Sequence, residues 1–459
     1  MSHNLMFRYM FRYMFRYRSN RFSNHCANSF SRIFFVCTVF CGLMWSASIF
    51  ASPPHGEPIS ETEIVSDDLE ILVVKHPAEG RQLLLWIAPS FGFRQGHNDM
   101  AQLLNKQGFE VWQADINEAL FLPHNSTSMR ELNANYVRDL IEIAHTKTGK
   151  DIVLMSGSYG AIPALRGVRE WLLTNPASPY LLGVMLFSPN VYRSIPPLGT
   201  EPEFLPIAYA TSIPVIVFQA ELNSNRWQVE KLANALRSGG SFVQIEIMPA
   251  VVGLFYGEER PPHVERYYHQ FASNMKNQID LLKKHPYSLQ ARQITRAKPL
   301  SGTGLDAQLK SYVGNPNPNP IALKDINGKS YNISEYKDRV IVVNFWATWC
   351  TPCIKEIPSL NNLRKAMHDK SFELISINYA EKAETIREFM KMVNVEFPVL
   401  LDEEGKESAK WKVIAFPSTF VIGKDGLIHY GVNAGIEWDT PEVLDTINRM
   451  LLMDPHQGK

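Results

Sequence analysis

The sequence predicts an α/β protein of two domains: a larger, mostly parallel sheet with helices on both faces, then a smaller α/β unit. Three observations carry this. Residues 60–285 hold seven short apolar runs separated by helical patterns, the alternation that builds parallel sheets. Residues 286–320 lose that periodicity and end in Asn315-Pro316-Asn317-Pro318-Asn319-Pro320. From Ile321 the alternation resumes, and two cysteines follow its first long apolar strand.

In the first unit the expected strands are Ile71–Val74, Leu83–Ile87, Val111–Ala114, Ile152–Met155, Leu182–Phe187, Val215–Phe218 and Val243–Met248. The amphipathic stretches Met100–Lys106, Met129–Thr148, Ala161–Leu173 and Gln228–Arg237 read as helices. Alternating prolines fix an extended backbone, so 286–320 is either a semi-rigid linker or a lead-in packed on the next unit. The second unit, 321–455, opens with a turn at Lys324–Gly328 and a buried strand at Val340–Phe345. Thr351–Met367 reads as a helix, Phe372–Asn378 as a strand and Glu384–Val393 as a helix. Thr419–Ile422 and Leu427–Tyr430 flank the hairpin turn Lys424-Asp425-Gly426, and Pro441–Leu452 is a final amphipathic helix.

The 459 residues are 45% hydrophobic and 20% charged, which excludes a disordered, collagen-like or coiled-coil chain. With 46 Lys+Arg against 46 Asp+Glu, the chain has no basic surplus for nucleic acid. That balance conceals an asymmetry. Residues 1–51 contain Arg8, Arg12, Arg16, Arg18, Arg21 and Arg32, with no lysine and no acid. Removing those six leaves 40 basic against 46 acidic groups, a net of −6. Ile33–Ala51 is then 19 residues without a charge, followed by Glu57, Glu61 and Glu63. Basic flank, apolar stretch and small residues make the layout of a secretory signal, with the N-terminus in the cytoplasm. Nineteen residues also suffice to span a bilayer. Residues 1–51 therefore read as a signal peptide or an N-terminal membrane anchor, and the remainder as periplasmic or otherwise extracytoplasmic, free or tethered to the inner membrane. The threefold Met-Phe-Arg-Tyr of Met6–Tyr17 has too short a period for a solenoid.

Of five cysteines, Cys26, Cys37 and Cys41 lie in the leader, leaving Cys350 and Cys353. A scaffold stapled by disulfides is excluded. Cys350-Thr351-Pro352-Cys353 follows a strand and opens a helix. Unpaired backbone N–H groups and the positive end of the dipole there favour a thiolate. Two intervening residues let the second thiol close a small disulfide after a mixed-disulfide step. Cys350, nearer the helix end, is the expected nucleophile and Cys353 the resolving thiol. Zinc needs three or four ligands, and no further cysteine remains after the leader. No metal or other cofactor is called for.

Residues 312–452 resemble the TlpA/ResA-like branch of the thioredoxin fold. The matching segments are ALKDINGK (Ala322–Lys329), VVNFWATWCTPCIKEIP (Val342–Pro358), FPVLLDEEG (Phe397–Gly405) and FPSTFVIGKDG (Phe416–Gly426). The resemblance implies that Pro417 is cis and lies against the disulfide, beside backbone that pairs with a substrate peptide. Asn344 stands where a thioredoxin has a buried aspartate. Glu356 matches a glutamate characteristic of the ResA-like members, where it tunes the cysteines and handles protons; as bare sequence it is a dipole-favoured group on a helix. The implied activity is thiol:disulfide oxidoreduction outside the cytoplasm. Members of this branch commonly act as reductants, often of apocytochrome c cysteines in cytochrome c maturation, and are recharged by a membrane electron donor of the DsbD/CcdA type.

In the first unit Ser156-Gly157-Ser158-Tyr159-Gly160 lies between a strand and a helix. That context resembles the nucleophile elbow of the α/β-hydrolase fold, with Pro89-Ser90-Phe91-Gly92 where an oxyanion loop would form. The fold class expected is thus an α/β-hydrolase-like sheet followed by a thioredoxin fold. A triad further needs an acid and then a histidine. The acid position carries Asn223, with Glu221 as a stand-in, and Pro249–Phe255 holds no histidine. His263 comes later and would have to loop back. Two readings follow: a degenerate shell that binds a partner or ligand and retains Ser158, Glu221 and His263 as a hydrolase remnant, or a serine esterase/peptidase with a fused redox domain.

Overall fold

The computed structural model describes residues 58–453 apart from 176–179, 254, 257–259, 286, 288–293 and 295–306. The leader lies outside the described residues, as does most of 286–306. Among the described residues no helix is long and apolar enough to cross a membrane.

All seven apolar runs of the first unit are strands: β2 (Leu69–His76), β3 (Gln82–Ile87), β4 (Glu110–Ala114), β5 (Asp151–Gly157), β6 (Leu181–Phe187), β7 (Val215–Ala220) and β8 (Val243–Met248). An eighth, β1 (Ile59–Val65), escapes the apolar pattern because its sequence, ISETEIV, is largely exposed at the sheet edge. A seven-pair antiparallel ladder joins it to β2, and Glu63 meets Lys75 of β2 at 2.6 Å and Lys147 at 2.9 Å. The strand order is β1-β2-β4-β3-β5-β6-β7-β8. β1 runs antiparallel to β2, β2 antiparallel to β4, and the others pair in parallel.

Side chains alternate across this sheet between two cores, Leu83, Leu85 and Ile87 on one face, Leu84 and Trp86 on the other. Burial on both faces is what makes the runs continuously apolar. The stretch Met129–Thr148 divides into helices Ser126–Glu131 and Ala134–Thr148, because Asn133 caps the second by accepting from Asn135 N.

The second sheet has the order β14-β13-β12-β15-β16-β9, with a separate hairpin β10-β11. These strands are β9 (Lys310–Ser311), β10 (Ala322–Lys324), β11 (Ser330–Asn332), β12 (Val340–Trp346), β13 (Phe372–Tyr379), β14 (Val399–Asp402), β15 (Ser418–Ile422) and β16 (Ile428–Val432). β12 is parallel to β13 and antiparallel to β15. β9 comes from the stretch read as a linker or lead-in and pairs with Tyr430 and Gly431. The proline segment packs here as well, with Ile428 N donating to Pro316 O at 2.8 Å. Along β12, Val340, Val342 and Trp346 join the core that contains both cysteines, while Ile341, Val343 and Phe345 face the opposite core. The same alternation turns Asn344 toward the cysteine side.

Candidate redox site and the Ser158 elbow

β12 delivers the chain through Ala347-Thr348-Trp349 to the helix Thr351–Ala366, with Cys350 as its N-cap. Cys350 and Cys353 are joined in a disulfide with Cα atoms 5.3 Å apart. Cys350 Sγ also accepts from Cys353 N at 3.3 Å, so a thiolate there would take up one of the helix's unpaired donors. Pro352 occupies the first turn, where its missing N–H costs little. A Cβ on Gly435 would stand 3.0 Å from Pro352 O, so a glycine lets that loop close on the motif. Glu381 secures the approach: its carboxylate accepts from Thr348 N at 2.7 Å, Thr348 Oγ1 at 2.5 Å and Asn378 Nδ2 at 2.9 Å. Cys350 keeps 6% of its surface and Cys353 1%, which makes Cys350 the more accessible of the two. Beside it Trp349 is exposed and meets Phe416 edge-on, centroids 5.8 Å apart. The Phe416–Pro417 peptide is cis.

Glu356 is buried one turn beyond Cys353. Asn344 Nδ2 donates to its Oε1 at 2.8 Å and Trp438 Nε1 to its Oε2 at 3.2 Å. Burial pushes its pKa up to about 7, against the pull of the hydrogen bonds from Asn344, Trp438 and the Ile436 backbone. A carboxyl that titrates near neutrality can give or take a proton while a thiolate forms or is consumed. Trp438 lies 82 residues downstream, and no spacing or motif in the sequence points to it. Among the described residues no group of three or more His, Cys, Asp and Glu is placed to hold a metal ion.

The AhpC/TSA family matches residues 313–431. The thiol-disulfide oxidoreductase ResA of Bacillus thuringiensis subsp. konkukian is 34% identical over 119 residues, 26% of this chain and 68% of that protein. This chain belongs to the ResA-like thiol-disulfide oxidoreductases. ResA of Bacillus subtilis is 36% identical over 115 residues, 25% of this chain and 64% of that protein. Among solved structures, StoA from Bacillus subtilis is 23% identical, covering 29% of this chain and 96% of its own, with a TM-score of 0.25. The family match begins after the first sheet, so the ResA-like character belongs to the C-terminal domain.

The N-terminal domain of this ResA-like chain presents Ser158 on a sharp turn between β5 and the helix Ala161–Thr174, at φ +51°. Left-handed backbone is costly for a serine. The turn is close-packed, since a Cβ on Gly160 would come within 2.3 Å of Ser156 Oγ and 2.5 Å of Ala88 O. Ser158 Oγ lies 3.3 Å from Ser90 Oγ in the following loop of β3. Glu221 and His263 are brought together around Ala250 instead. Glu221 accepts from Ala250 N at 2.8 Å, and His263 Nε2 stands 3.3 Å from Ala250 O. Among the described residues neither hydrogen-bonds to Ser158. Asn223 Nδ2 donates to Val252 O at 3.1 Å.

The loop after β8 places Tyr256 inside, fully buried, against Trp86 and His97. His97 is a buried imidazole that no sequence pattern singles out. Its Nδ1 accepts from Arg94 N at 3.0 Å, and desolvation lowers its pKa to about 4, so it is neutral with the proton on Nε2.

Proposed function

We propose that this chain is an exported reductant of protein disulfides that works through the Cys350–Cys353 dithiol, with an accessory binding domain of α/β-hydrolase-like fold. The observation that carries the proposal is a redox disulfide at a helix N-terminus with the neutral-range carboxyl of Glu356 one turn away.

The reaction balances as two exchanges. The Cys350 thiolate attacks one sulfur of a substrate disulfide, and the other sulfur leaves as a thiolate. The Cys353 thiolate then attacks Cys350 Sγ in the mixed disulfide, closing the Cys350–Cys353 bond and releasing the second substrate thiolate. Two electrons pass to the substrate, and Glu356 handles protons for the dithiol. A membrane dithiol donor of the DsbD/CcdA type would restore the reduced pair, and apocytochrome c cysteines are one substrate class that fits.

Export rests on the one-sided arginines before Ile33–Ala51. The accessory role of the first domain is supported by Ser158 meeting Ser90, while Glu221 and His263 are both engaged at Ala250. The test is insulin reduction by the wild type and Cys350→Ser, with the reduction potential of the pair. A wild-type-only activity and a potential near about −270 mV are expected; equal rates, or a potential near about −120 mV, would overturn a reductant.

A further inference from the structure

The two sheets are joined by side-chain contacts as well as by the chain. Ser224 Oγ donates to Ile414 O at 2.8 Å, and the Tyr379 hydroxyl donates to Asn223 O at 2.9 Å. Asn223 and Ser224 stand in the loop after β7. That loop is itself braced, with Asn223 Oδ1 accepting from Asn225 N and its Nδ2 donating to Val252 O, each at 3.1 Å. A second contact lies farther along the second sheet. Leu198 packs into the core of Ile341, Val343 and Phe345, and a Cβ on Gly431 would come within 2.5 Å of it.

The residues held by Asn223 and Ser224 adjoin the redox centre. Tyr379 ends β13 and lies against Phe416 with ring centroids 4.9 Å apart. Ile414 is two residues before Phe416 in the segment leading to β15. Phe416 in turn meets Trp349, the exposed residue that precedes Cys350. Contact therefore runs unbroken from the β7 loop of the first domain through Tyr379 and Phe416 to Trp349. The thiol chemistry is supported separately: Cys350 caps its own helix, its Sγ accepting from Cys353 N, and Glu356 is held by Asn344 and Trp438.

We infer that the loop Glu221–Ser224 of the N-terminal domain is a positioning element for polypeptide substrates of the redox centre. It holds Tyr379 and the Ile414–Phe416 segment, and so sets the aromatic surface of Phe416 and Trp349 that receives the chain flanking a substrate disulfide. This rests on reading the protein as an oxidoreductase of protein disulfides. A small disulfide needs only the Cys350–Cys353 thiol pair; a polypeptide needs the aromatic surface too. Here the first domain contributes to substrate recognition with no turnover at Ser158.

The experiment compares the full chain with Tyr379→Phe, which keeps the ring and removes its donor, and with the double variant Ser224→Ala/Tyr379→Phe. Each is assayed against insulin and against glutathione disulfide. The double variant is expected to raise KM for insulin about five- to tenfold with kcat nearly unchanged. Its rate with glutathione disulfide and its reduction potential should stay at wild-type values. An unchanged insulin KM, a parallel loss with glutathione disulfide, or a shifted potential would each overturn the inference. If the double variant folds poorly, the single variant, lacking one oxygen, should still show the rise in insulin KM at smaller amplitude, and its absence there would overturn the inference equally. The underlying functional reading fails on a different observation: a wild-type chain that reduces insulin no faster than Cys350→Ser.

Discussion

Asn344 donates from Nδ2 to Glu356 Oε1 at 2.8 Å, inside a core where neither side chain keeps more than 2% of its surface. The amide also donates to Thr419 Oγ1 at 2.9 Å, tying β12 to β15 behind the cysteine helix. An asparagine orients the carboxyl without competing for its proton, so Glu356 is the group left to titrate.

Glu356 should leave a signature in stability. Its folded pKa of about 7 lies above the ordinary 4.5. Its contribution to stability is therefore fully present below about pH 4.5 and lost as pH rises through about 7. The shift corresponds to about 3 kcal/mol. Urea unfolding at pH 4.5 and pH 8 should show Glu356→Gln losing most of that difference; an unaltered pH slope would show that Glu356 is not its source.

Asn344→Asp would set a second carboxyl against Glu356. Two carboxyls at hydrogen-bond distance share one proton. The variant should be about 2–4 kcal/mol less stable at pH 7 and recover toward pH 4. A loss independent of pH would point to packing instead.

Cys353→Ser should accumulate a mixed disulfide through Cys350, visible on non-reducing gels with a protein substrate. Cys350→Ser should not. The reverse pattern would exchange the roles of the two thiols.

Ser158→Ala should leave p-nitrophenyl ester turnover at the wild-type background. A wild-type activity abolished by this substitution would promote the serine esterase reading.

What the sequence discloses follows the range of the interactions involved. β3, β5 and β7 are legible because both faces are buried and the run of apolar residues along each reports it. β1 is not, since its residues are largely exposed, and neither its ladder to β2 nor the pairing of Glu63 with Lys75 and Lys147 can be inferred from ISETEIV. At the redox site, the spacing of Cys350 and Cys353, with two residues between them, is local and visible at once. The hydrogen bond that buried Glu356 accepts from Trp438 comes from a residue that only the folded chain brings near. The Ser158 turn can be read from its small residues, whereas its neighbour Ser90 comes from another strand's loop. The contact of Tyr379 with Asn223 crosses between the two sheets, joining residues 156 apart in the chain, and has no counterpart in any motif.

The strand Lys310–Ser311 lies along the outer side of β16, with Pro316 accepting from Ile428 nearby. A fragment begun at Ile321 to isolate the redox half would leave that flank of β16 with open backbone donors and acceptors, an invitation to self-association. It would also strip Tyr312 from its place against Phe420. Cutting instead near residue 307 would keep the flank dressed, and such a fragment should stay monomeric where the shorter one clumps.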